Sequence, residues 1–196
     1  MKYKYGSPPD DPYDYKCFIR HLAPHLPKDD KAFFHEGSLK WRANRQEIPL
    51  ALYRNVCHWK SPRPFGRLCH RAEQVNGQWR KAMLKLGGPP FQDEAIKQAL
   101  HELAALSGVG ERTASALLTA WNPDEFAIMD ERVFVVLDMQ KDHSSYTATD
   151  YVEFRKRLLV LKDELPELGG CSLRQIELAL WHFDAVRESG ENDRPD

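Results

Sequence analysis

Three features of the 196-residue sequence predict an all-α fold. Apolar residues recur at one-turn spacing through several stretches, no stretch of useful length alternates with period two, and Gly- and Pro-rich breaks cut the helical stretches short. About nine or ten short helices are expected, with no internal repeat. Residues 1–14 read as an irregular arm holding Gly6, Pro8, Pro9 and Pro12. Residues 15–187 read as one helical unit, and residues 188–196 as a frayed polar tail.

The elements follow in order. Tyr15 to Leu26 places Phe18, Ile19 and Leu22 on one face and is closed by Pro27, and Asp29 to His35 adds a short helical turn. Glu47 to Trp59 carries Ile48, Leu52, Val56 and Trp59 at one-turn steps, and Pro62 and Pro64 end it. Phe65 to Gln74 resumes helically, Asn76-Gly77 signals a turn, and Trp79 to Leu86 forms the next helix before the break at Gly87-Gly88-Pro89-Pro90. Asp93 then sits at an N-cap position ahead of Ala95, Ile96, Ala99, Leu100, Leu103 and Leu106. Gly108-Val109-Gly110 ends that helix, and Glu111 to Trp121 forms another with Ala114, Leu117 and Leu118 inward. Asp130 precedes Val133, Phe134 and Leu137 as an N-cap, with Met129 and Phe134 spaced for a hydrophobic staple. Thr147 or Thr149 opens a helix to about Leu165, and Ser172 caps a last one carrying Leu173, Ile176, Leu180 and Phe183.

Composition narrows the function. No apolar run approaches the ~20 residues of a membrane span. The first residues lack the apolar core of a secretory signal, so a cytoplasmic protein is expected, on the nucleoid if bacterial. The four cysteines, Cys17, Cys57, Cys69 and Cys171, form no C-x-x-C pair and no iron–sulfur spacing. Cys57-His58 and Cys69-His70 match no common zinc pattern, so buried thiols and no metal site are expected. The formal net charge is −1, but its distribution is uneven. Between Gly37 and Lys85 eleven Lys and Arg face only Glu47 and Glu73, a net of +9, leaving −10 for the rest. Such a segment is either a solvated surface or the face of a polyanion binder.

The stretch from Leu103 to Leu137 carries the sharpest chemistry. Two glycines around one small apolar residue let a chain reverse tightly between helices. They also expose backbone N–H groups at a helix start, which bind phosphate oxygens without reading sequence. Alone the triplet reads first as a structural turn, and Asp130 alone first as a simple cap.

Leu106-Ser107-Gly108-Val109-Gly110-Glu111-Arg112-Thr113-Ala114, then Leu117-Leu118, a Pro-containing loop and Ile128-Met129-Asp130 at a helix start, together resemble the helix–hairpin–helix (HhH-GPD) DNA glycosylase superfamily. The resemblance is detailed over Leu103–Leu137 and extends loosely over the helical remainder. It implies a two-lobed helical fold with the active-site cleft between the lobes. The implied activity is flipping a damaged or modified nucleotide from duplex DNA and breaking its N-glycosidic bond. Asp130 takes the position of the catalytic aspartate, where a carboxylate stabilises positive charge on the deoxyribose and a helix N-terminus favours its charged form.

Gly108, Val109 and Gly110 take the positions that grip the DNA backbone, with Arg112 and Thr113 beside them. In similar hairpins the main-chain carbonyls hold a monovalent cation; no other cofactor and no iron–sulfur cluster is implied. Arg112 stands where bifunctional members carry the lysine that attacks the sugar. A guanidinium has no neutral nitrogen to offer, since its pKa is above ~12. A monofunctional glycosylase is therefore expected, unless another lysine serves, for which Lys60 is the candidate. Lys60 and Arg63 are otherwise expected as DNA contacts, and Trp59, Trp181 and Glu177 as the base pocket. The partner implied is lesion-bearing double-stranded DNA, met by a monomer and without a membrane. The competing reading is a non-catalytic hairpin scaffold that binds DNA.

Overall fold

The computed structural model describes residues 14–26, 46–61, 67–139 and 145–191, with 188–191 described by backbone alone. Within them lie eight α-helices, two short 3-10 turns and no strand. The helices are α1 (Tyr15–Leu22), α2 (Leu50–Lys60), α3 (Ala72–Leu86), α4 (Asp93–Ala104), α5 (Glu111–Trp121), α6 (Glu131–Val136), α7 (Ala148–Glu164) and α8 (Leu173–Glu191). Among the described residues no helix is long and apolar enough to cross a membrane. The short turn expected at Asp29–His35, Arg63 and residues 1–13 and 192–196 lie outside the described residues.

Helix α5 is the centre of the molecule. Every residue from Thr113 to Trp121 is buried, so beyond Glu111 and Arg112 this helix has no solvent face and is a core helix rather than an amphipathic one. Helices α2 and α4 pack against it, α3 lies along α4, and α7 also packs on α4. Helices α1, α6 and α7 pack on α8. One continuous apolar cluster joins all of these, from Phe18 and Ile19 to Leu180 and Phe183. Its aromatic part runs edge to face from Trp79 through Trp121 to Phe91.

Several boundaries follow the sequence. Glu111–Trp121 coincides with α5, and Thr147 caps α7 in a reciprocal box with Asp150. Ser172 Oγ accepts the Gln175 N–H at 3.1 Å while Gln175 Oε1 accepts the Ser172 N–H at 2.9 Å, the same reciprocal cap for α8. Five expectations need correction. The chain does not turn at Asn76-Gly77: α3 runs straight through them. Its buried stripe of Val75, Trp79, Ala82, Met83 and Leu86 is continuous, and this burial outweighs the roughly 1 kcal/mol that a mid-helix glycine costs. Asn76 Oδ1 is also held, accepting the Ile48 N–H at 2.9 Å. Residues 67–71 precede α3 outside any α-helix, and α2 starts only after Pro49. The cap of α4 is Gln92 rather than Asp93. The 188–191 backbone, expected to fray, continues α8.

Candidate active site

The hairpin is fixed by contacts that explain its glycines. Gly108 has φ +79, and a Cβ there would lie 3.0 Å from Leu68 Cδ2 and 3.2 Å from Leu68 N. Both the backbone conformation and the close approach of the Arg67–Leu68 segment therefore demand glycine. Ser107 Oγ donates to the Arg67 carbonyl at 2.7 Å, tying the same segment to the hairpin. Gly110 is extended and serves as N-cap of α5 without a side-chain cap. The first N–H groups of α5 thus have no side-chain oxygen competing for them at that cap, the arrangement that receives an anion. Thr113, expected to add a hydroxyl contact, is only 4% exposed because it lies on the packed body of α5. Val109 is buried as well, leaving backbone rather than side chain to meet a partner.

Asp130 is held from several directions. It caps α6, its Oδ1 accepting the Arg132 N–H at 3.2 Å. The three residues before it are each pinned through the backbone by a side chain from a different helix. The Ala127 N–H reaches Tyr151 Oη of α7 at 3.3 Å, the Ile128 N–H reaches Glu177 Oε2 of α8 at 3.3 Å, and the Met129 N–H reaches Ser115 Oγ of α5 at 2.9 Å. Ser115 Oγ in turn donates to the Arg112 carbonyl at 2.8 Å, so one hydroxyl links the hairpin helix to the aspartate loop.

The other oxygen of Asp130 meets Lys60. Lys60 Nζ donates to Asp130 Oδ2 at 2.7 Å, and the two side chains are 7% and 22% exposed. Lys60, expected to face DNA, is therefore turned inward. It is the last member of the buried stripe Tyr53, Val56, Cys57 on α2, one step further along the same helix face. The stripe is dry: burial pushes the Cys57 thiol up to about 12.

Lys60 and Asp130 open into a cavity of about 260 Å3 whose wall includes Trp59, Trp181, Glu177 and Arg174. Trp59 is 44% exposed and stands at the rim. Glu177 lies one turn before Trp181 on α8, is 1% exposed and pairs with Arg174. Burial raises its proton affinity above the usual carboxylate range, against the opposing pull of Arg174 and Lys60, and Asp130 adds to the rise. The cavity thus combines two indoles with a buried acid at its back and an amine–carboxylate pair at its side.

A second pocket, of about 420 Å3, flanks Asp130 on the other side. It is lined by Arg112, Arg132, Arg187, Glu131 and Asp184 as well as Asp130. Asp184 accepts from Arg132 at 3.3 Å and Arg187 at 2.8 Å. Arg112 approaches Glu131 at 3.7 Å and lies 5.7 Å from the Tyr146 ring centre. Arg132 sits 5.7 Å from the Trp181 ring centre, a contact between a residue of this pocket and one of the cavity wall.

The sequence-derived residues Trp59, Lys60, Asp130, Glu177 and Trp181 converge on the cavity, while Arg112 belongs to the second pocket. Arg174, Ser115 and Tyr151 went unnoticed in the sequence. Arg174 was signalled by its spacing three before Glu177, which pairs opposite charges on one helix face. Nothing local signals the reach of Ser115 to Met129 or of Tyr151 to Ala127, which lie far along the chain. All four cysteines are free and buried, and among the described residues no group of His, Cys, Asp or Glu is arranged to hold a metal ion. Comparison with protein-family models, with curated proteins and with solved structures gives no match to this chain.

Proposed function

We propose that this chain is a DNA glycosylase of the helix–hairpin–helix type, which rotates a damaged or modified nucleotide out of duplex DNA and breaks its N-glycosidic bond. The observation that carries this reading is the convergence of Asp130, Glu177, Trp59 and Trp181 on one cavity of about 260 Å3. That volume lies just below the roughly 300–1,000 Å3 of sites for drug-sized ligands, which suits a single heterocycle. A flipped base needs an aromatic surface to stack on and polar groups for its edge; the indoles and Glu177 supply these. Asp130 at the side of the cavity stabilises the positive charge left on the sugar as the base departs. The hairpin at Gly108–Gly110, joined to the Asp130 loop through Ser115, grips the phosphate backbone. The two-lobed arrangement of that family, with the cleft at Asp130, belongs to the same proposal, as does a monomer acting on lesion-bearing duplex.

The alternative, a hairpin scaffold that only binds DNA, gives no use to a carboxylate held by an amine beside a lined cavity. The test is a panel of duplexes, each bearing one altered base, incubated with wild type and Asp130→Asn. The glycosylase reading expects abasic sites with wild type and not with the variant, while both proteins bind duplex. Binding by both without any abasic product favours the scaffold.

A further inference from the structure

Glu177 uses only one of its two carboxylate oxygens within the protein. Its side chain is 2% exposed, and Oε2 accepts both from the Arg174 guanidinium and from the Ile128 N–H, the latter at 3.3 Å. Oε1 has no hydrogen-bond partner among the described residues. It is not one of the polar atoms sealed in the interior, and the space beside it is the cavity that Glu177 lines with Trp59, Trp181 and Asp130. We propose that Glu177 Oε1 selects a base carrying a ring N–H beside a carbonyl, a lactam or imide, and that through Oε2 and Ile128 the same carboxylate sets the position of Asp130. This rests on the glycosylase reading and names the substrate class of that same cavity.

The chemistry of the carboxylate gives the class. Ionised, it only accepts, so Oε1 holds an N–H and repels a bare ring nitrogen. A ring N–H next to a carbonyl is more acidic than an exocyclic amine, and a charged acceptor favours the more acidic donor. Three charged groups face Glu177: Arg174 on its own helix, Lys60 at the end of α2 and Asp130 at the head of α6. Burial raises its proton affinity above the usual carboxylate range, Arg174 and Lys60 oppose the rise, and Asp130 adds to it. What meets Oε1 therefore tips the balance. A base N–H favours the charged form, whereas a bare ring nitrogen favours the protonated acid, which donates to it.

The charge on Glu177 is felt at Asp130. Three side chains tie down residues 127–129, and of these only Glu177 lines the cavity, Tyr151 and Ser115 standing outside it. A hydrogen bond to an ionised acceptor is about twice as strong as one to a neutral acceptor. Ionised Glu177 thus holds Ile128 firmly, two residues before Asp130, and protonated Glu177 holds it less. The base is read through the rate of its own removal more than through the affinity for its duplex, and Glu177 acts on Asp130 as a positioning residue.

The probes are duplexes bearing one altered or unusual base each. Hypoxanthine and uracil serve as ring N–H bases, and purine and 2-pyrimidinone as the same rings with a bare nitrogen. Base release is timed under single turnover with wild type or Glu177→Gln in excess. In the variant the amide oxygen takes the Arg174 and Ile128 donors, so the amide N–H groups turn to the cavity and the reading is inverted. Release of ring N–H bases should fall roughly ten- to hundredfold, as expected when a buried donor loses its acceptor, while release of the bare-nitrogen rings should not fall. The loss should lie in the rate at saturating enzyme rather than in the dissociation constant of an abasic-site duplex. In wild type the rate on ring N–H bases should decline as pH falls, along a limb above the usual carboxylate range, and the variant should lack that limb. Equal slowing of both classes, slowing of neither, or a wild-type preference for bare-nitrogen rings overturns the inference and leaves the glycosylase reading standing, because bases are still released. Should Glu177→Gln fail to fold, the wild-type ranking and pH limb decide alone. No base released from any duplex sinks both.

Discussion

On one side of Asp130 lies a cavity of about 260 Å3 with two tryptophans, one lysine and a buried glutamate; on the other lies a pocket of about 420 Å3 with three arginines. The two differ in how their charges are held. In the cavity, Arg174 and Glu177 are 6% and 2% exposed at the side chain, and Lys60 is 7% exposed. In the second pocket, Arg112, Arg132 and Arg187 are 38%, 39% and 37% exposed. Desolvated charges are fixed in place and costly to leave unpaired, whereas half-exposed guanidiniums adapt and are screened by salt. The contrast separates two tasks within the proposed function: the dry side handles the base and its bond, and the wet side meets the phosphate backbone.

Stability is where the two sides should part most. Glu177→Ala leaves the Arg174 guanidinium buried without its acid and frees the Ile128 N–H. Breaking one half of such a buried pair costs about 3–5 kcal/mol, read as a lower midpoint in urea. Arg187→Ala, on the exposed side, should cost no more than about 1 kcal/mol. Equal losses would erase the distinction between the two spaces.

Function should divide along the same line, with a smaller effect. Trp181→Ala removes a stacking surface worth about 1–3 kcal/mol per base, so base release under single turnover should slow roughly ten- to hundredfold with duplex binding little changed. Arg112→Ala should instead weaken duplex binding and reduce the slope of log K against log salt by about 1. The comparison fails if Trp181→Ala acts on binding and Arg112→Ala on base release.

The smallest effect concerns the dry wall behind Lys60. The Cys57 thiol is raised from 9.0 to about 12, so the fold keeps it neutral while the unfolded chain ionises it first. Its contribution to stability is full below pH 9 and declines as pH rises from 9 toward 12. At pH 10 the loss should be about 1 kcal/mol, seen as a falling melting temperature under reducing conditions, and Cys57→Ala should flatten that slope. An unchanged slope would mean that other groups carry it.

Much of this architecture was legible in the residues themselves, and the exceptions share one cause. Local signals found α5 to the residue, the caps at Asp130 and Ser172, and the hairpin between Leu106 and Gly110, and they narrowed the α7 cap to Thr147 or Thr149, of which the structure uses Thr147. They failed at Asn76-Gly77, where Asn76 serves a backbone group in a segment far away in the chain. The candidate site divides similarly. Asp130 stood out by motif, Trp181 through the family resemblance and Glu177 by its helix spacing from Trp181, whereas the inward turn of Lys60 shows only when the α2 stripe is extended to its last member. Arg174 was one pairing rule away. Ser115 and Tyr151 act through hydrogen bonds across the chain, and no local pattern encodes those.

The central claim is that Asp130 and its cavity remove a base from DNA. It is tested most directly by incubating heavily damaged and naturally modified duplex DNA with the protein and analysing the small-molecule filtrate by mass spectrometry. Wild type should release at least one free base, and Asp130→Asn should reduce that release by about 10²–10³-fold while binding the same DNA. Release that is equal in the two proteins, or absent from both across the whole mixture, contradicts the account.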